Sequence, residues 1–73
     1  MIESDCSMLR RTRRWSGLSL KEVARATGVP FGSLAQIERR ELVAAAKHRK
    51  ALSEFFGKPE DDFFDDSMRG LAK

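Results

Sequence analysis

Apolar residues recur along this chain with the period of helices rather than strands. Between Ser19 and Glu38, positions Leu20, Val23, Ala24, Val29, Leu34 and Ile37 fall where two short crossed helices bury one face each. A Ser-x-x-Glu capping box at Ser19 and Glu22 opens the earlier helix, and Gly28 closes it. Pro30 pre-sets the backbone for the first turn of the next helix, which is expected to run to about Arg39. Upstream, a helix is expected from Asp5 or Ser7 to about Ser16, ended by Gly17. Downstream, a helix over about Ala45 to Phe56 places Leu52, Phe55 and Phe56 inward and stops at Gly57 and Pro59. Glu41 to Ala46 reads either as a loop or as a helical continuation. A short fifth helix or turn at Glu60 to Phe64 returns Phe63 or Phe64 to the core. Met1 to Ser4 reads as a loose arm, and the polar segment from Asp65 to Lys73 is expected to fray. No strand alternation, internal repeat or low-complexity tract interrupts this pattern.

Seventy-three residues, 41% of them hydrophobic, define one domain over 1–73, with its core at about 5–64 and a polar tail over 65–73. The single cysteine, Cys6, has no internal partner for a disulfide, which fits a reducing compartment. No apolar run approaches the roughly 20 residues needed to span a bilayer, and none has signal-peptide length. A cytoplasmic protein without membrane association is expected. Charge is divided unevenly: residues 1–53 hold 11 Lys/Arg against 5 Asp/Glu, and residues 54–73 hold 3 against 6. A basic body with an acidic end suits contact with phosphate, although an uneven solvated surface would look the same.

Two short helices joined by a tight glycine turn make a helix-turn-helix, a unit that lets one helix enter the major groove of DNA. The motifs around this unit resemble the Xre family, which includes Cro and the phage repressors. They are Leu9-x-x-x-Arg13, Gly17-Leu18-Ser19, Glu22-Val23-Ala24, Thr27-Gly28-Val29, Ser33-Leu34-x-x-Ile37-Glu38 and Ala51-Leu52-x-x-x-Phe56-Gly57. The resemblance spans about Leu9 to Phe64. It implies an all-α, compact five-helix, lambda-repressor-like domain that binds double-stranded operator DNA as a two-fold homodimer.

Carried over by position, the resemblance makes the third helix the recognition helix, with Phe31, Gly32, Ser33 and Gln36 facing the bases. Gln36 has an amide suited to bidentate pairing with adenine, Ser33 suits a base or a phosphate, and Phe31 suits a thymine methyl. The competing uses are a solvated helix position for Gln36 and interhelix packing for Phe31. Arg13 and Glu38 match an internal salt bridge that ties the first helix to the end of the third. Expected phosphate contacts are Arg14, Lys21, Arg39, Arg40 and Lys47, with Arg49 behind them; a solvated charge is the alternative at each. Five positions depart from the family pattern: Leu20 stands where a polar residue is common, Pro30 replaces a Ser or Thr cap, Gly32 removes a reading side chain, and Arg39-Arg40 replaces Asn-Gly. These changes weaken direct base readout relative to shape readout.

Trp15 is expected to cover the core edge beside Leu18 or to lie over an arginine, rather than stack on a base. The phenylalanines at 55, 56, 63 and 64 exceed what a small core readily buries. Phe63 and Phe64, with Leu71 or Met68, are therefore expected at a dimer interface, unless all four are internal. Catalysis is not expected, because His48 lies among basic residues and Cys6 lacks partners at metal spacing. The acidic residues from Glu60 to Asp66 lack a calcium-loop pattern, so neither metal nor cofactor is implied. The function expected is a transcriptional regulator, most simply a repressor. The alternative is an interaction module, such as an antitoxin that binds a toxin through the acidic C-terminal segment.

Overall fold

Ser7 caps the first helix, its hydroxyl accepting from the Arg10 N–H at 3.1 Å. The computed structural model describes residues 7–65 and 70–73; the N-terminal arm, Asp5, Cys6 and Met68 lie outside the described residues. The described residues hold five helices in order: α1 (Met8–Trp15), α2 (Leu20–Thr27), α3 (Phe31–Glu38), α4 (Ala46–Phe56) and α5 (Glu60–Phe63). Among the described residues the only strand-like pairing is an isolated antiparallel bridge between Phe64 and Ala72.

The capping box that opens α2 is complete. Ser19 Oγ accepts from the Glu22 N–H at 3.1 Å, and the Glu22 carboxylate accepts from the Ser19 N–H at 2.8 Å. Gly28 ends the helix at φ 80°, a left-handed conformation that glycine adopts without steric cost, and its N–H reaches the Ala24 carbonyl. Residues 41–45 form the connection to α4, so the segment after α3 is a loop rather than a helical continuation.

α2 packs on α3 and α4, α4 on α5, and α1 on α5. Leu9, Val23, Leu34, Ile37, Leu52 and Phe63 are fully buried where these elements meet, with Leu18, Leu20 and Phe56 against their margin. Burying one such side chain contributes about 1.5–3 kcal/mol.

Four expectations need correction. Phe63 and Phe64 are 0% and 3% exposed, so both belong to the monomer core and neither offers a surface to a second copy. Phe64 is enclosed because residues 70–73 do not fray: they return across the domain. Ala72 bridges to Phe64, the Lys73 N–H donates to the Phe63 carbonyl at 2.8 Å, and the Met8 N–H donates to the Lys73 carbonyl at 2.6 Å. Trp15 is 90% exposed and covers no core edge. Phe55, expected inward, is 41% exposed and packs edge-on against Phe56.

Candidate nucleic-acid interface

The turn between α2 and α3 is fixed from inside. Thr27 Oγ1 donates to the Val23 carbonyl at 2.7 Å and accepts from the Val29 N–H at 3.3 Å, while Val29 is buried. The Leu34 N–H reaches the Pro30 carbonyl at 2.8 Å, so α3 starts directly at the proline without a side-chain cap. Buried Leu34, Ile37 and Glu38 share the inner arc of α3. The outer arc carries exposed Gly32 and Gln36; exposed Phe31, in the first turn, and half-buried Ser33 lie at its two edges. Phe31 is half exposed rather than packed between helices. Open space surrounds the Gly32 α-carbon, leaving the backbone itself accessible at that position.

The end of α3 is held by Arg13. Its Nε donates to Glu38 Oε2 at 2.7 Å and its Nη2 to Oε1 at 3.1 Å, a fork-on-fork pair in which both residues are buried. The remaining nitrogen, Nη1, donates to the Leu18 carbonyl at 2.8 Å. One guanidinium thereby joins α1, the α1–α2 turn and α3. Beyond Glu38 the chain closes with a Schellman arrangement: the Arg40 N–H bonds to the Ile37 carbonyl and the Glu41 N–H to the Gln36 carbonyl. Arg40 carries the left-handed conformation of that motif, at φ 64°.

The basic residues divide by structural position. Arg14, Lys21 and Lys47 are exposed on α1, the first turn of α2 and the first turn of α4. Arg39 is exposed and pairs with Glu41 at 3.2 Å, a contact of small energetic weight at the surface. Arg49 is committed to the fold: Nη1 donates to the Ala44 carbonyl at 2.8 Å and Nε pairs with Glu60 at 3.2 Å. These two contacts turn the Arg49 guanidinium into the fold and away from the reserve role at phosphates expected of it. Arg10 lies four residues before Arg14, on the same face of α1. It lines, with Leu20, Ala35 and Arg39, a cleft of about 160 Å³ over the Arg13–Glu38 pair.

The titration of Glu22 is displaced. Its carboxyl is held below the ordinary glutamate value first by the hydrogen bond from the Ser19 backbone and then by the Ser19 side chain. Among the described residues no three His, Cys, Asp or Glu side chains are grouped to hold a metal ion, and no helix is long and apolar enough to cross a membrane.

A glycine-turned helix pair with an exposed second helix, braced at its end by a buried ion pair, defines a DNA-binding helix-turn-helix regulatory domain. A family model described as Helix-turn-helix matches residues 9–63, and the chain belongs to that family, of Xre, Cro and lambda-repressor type. No curated protein and no solved structure matches it significantly.

Proposed function

We propose that this protein represses transcription by binding a palindromic operator as a homodimer, with α3 in the major groove. The observation that carries this reading is the exposed arc of α3, whose inner arc and C-terminal end are both fixed by buried contacts. In this reading Gln36 and Ser33 hydrogen-bond to bases, Phe31 lies on a thymine methyl, and Gly32 allows close approach of the backbone. Arg14, Lys21, Arg39, Arg40 and Lys47 contact phosphates, joined by Arg10 at the cleft beside Arg39. Leu42 and Val43, exposed on the loop that follows α3, supply apolar surface for the second copy in place of Phe63 and Phe64.

Selection of bound duplexes from a random library, at two salt concentrations, tests the proposal. Enrichment of an inverted repeat with half-sites about one helical turn apart is the expected result. Salt-sensitive binding without an enriched motif would overturn it. Within an enriched site, Gln36→Ala should cost about 1–3 kcal/mol and relax one position, whereas Lys21→Ala should weaken all sites alike and lower the salt slope by about 1.

A further inference from the structure

Trp15 and Met8 are 90% and 40% exposed on one face of α1, an unusual use of two large apolar side chains in so small a domain. They border a trough. Met8, Arg11, Thr12, Trp15 and Lys58 line a cavity of about 200 Å³. It continues into one of about 400 Å³ lined by Met8, Thr12, Lys58, Asp62 and Lys73. The trough thus runs along α1, past the α4–α5 turn, to the returning C-terminal segment.

Helical geometry puts this trough away from the DNA-reading side. Successive residues step by about 100° around a helix, so Met8, Thr12 and Trp15 lie on the far side of α1 from Arg13, which points to the end of α3. We propose that the trough binds a short acidic segment of a partner protein, which lays an apolar side chain against Trp15 and its carboxylates against Lys58 and Lys73. Lys58 and Lys73 are exposed and Arg11 joins them in the lining, against the Asp62 side-chain carboxylate among the described residues, so the charge of the walls complements an acidic segment. Trp15 has the surface and shape of an interface anchor.

Other occupants fit less well. A second copy seated here about a two-fold axis would bring the Lys58 and Lys73 side chains of both copies together, like charge against like charge. A DNA backbone running along the trough would meet the acidic first turn of α5, with Glu60, Asp61 and Asp62. A short segment needs to reach only the two lysines. Because the trough is remote from α3, the proposal stands independently of the operator reading.

Trp15 is the only tryptophan in the chain, so its emission reports the trough directly. The probe is a synthetic amphipathic peptide of Leu and Glu with Leu at helical spacing, compared with the same peptide carrying Lys for Glu. With the full-length protein, the Glu peptide should shift Trp15 emission to the blue and saturate, with affinity about tenfold above that of the Lys peptide. Lys58→Glu should remove most of that preference while circular dichroism and duplex binding stay unchanged. No saturable shift, or an equal response to the Lys peptide, overturns the proposal. So does an equal response to a DNA duplex, or a shift produced by protein concentration alone, which would assign the face to nucleic acid or to a second copy.

Discussion

Arg13 and Glu38, 25 residues apart in sequence, meet through two parallel hydrogen bonds, and both side chains are almost wholly withdrawn from solvent. Such a pair is expensive to break from one side, because the remaining charge stays buried without its counterpart. Glu38→Ala or Arg13→Ala should each lower unfolding free energy by about 3–5 kcal/mol in chemical denaturation. The double variant should cost less than the sum of the two single changes, since it leaves no orphaned charge.

Arg40 holds a left-handed backbone conformation at φ 64°. For a residue with a β-carbon this costs about 1–2 kcal/mol, partly offset by the greater unfolded-state freedom of glycine. Arg40→Gly should therefore stabilise the domain by up to about 1 kcal/mol, read as a higher Tm. If Arg40 contacts phosphate, the same variant should bind DNA more weakly, with a salt slope smaller by about 1. Opposite signs in the two measurements separate the backbone role from the charge.

Gly70 sits at φ +95°, and a β-carbon placed there would approach the Ala44 carbonyl oxygen and Val43 Cγ1 to 2.6 Å each. The Gly70 carbonyl also accepts from the Ala44 N–H at 2.8 Å. Gly70→Ala should destabilise by about 1–3 kcal/mol. Hydrogen exchange should locate the damage, with faster exchange at the Ala44 and Met8 amides and little change in α2 and α3.

The Glu22 carboxyl titrates below its ordinary value because the Ser19 N–H and hydroxyl favour the charged form. As pH falls, the unfolded chain takes up this proton before the folded one. The stabilisation is therefore complete above the unfolded glutamate pKa and declines as pH drops through the lower folded value. Glu22→Gln keeps a capping amide but cannot titrate. Its denaturation midpoint should lose less than that of the wild type between neutral pH and about pH 3.

The parts of this fold legible in the sequence are those fixed by neighbours in the chain. Ser19 and Glu22 specify their own hydrogen bonds, Gly28 specifies its own turn, and Leu20, Val23, Leu34 and Ile37 mark an inner face by spacing alone. The Arg13–Glu38 pairing came from resemblance rather than from periodicity, because nothing local links residues so far apart. Residues 70–73 were opaque for the same reason. Their partners are Met8, Ala44, Phe63 and Asp65, and a short Gly-Leu-Ala-Lys segment has no pattern of its own that announces those contacts. The burial of Phe64 depends on that return, so misreading the tail also misplaced the phenylalanine. Arg49 looked like one more surface cation because the Ala44 carbonyl and Glu60 that engage it converge only after folding.

The hydrogen bond from Met8 to Lys73 makes the described chain close on itself, its first helix touching its final residue. In topological terms the helices form a ring in which a hydrogen bond spans the gap between Lys73 and α1. A short linker across that gap, with a new opening at the exposed Gly57–Lys58 turn, would produce a circular permutant. The order of the helices along the chain would change, while α2, α3 and their turn kept their places as an uninterrupted unit. The capacity to present α3 would then be separable from the order in which the chain is threaded.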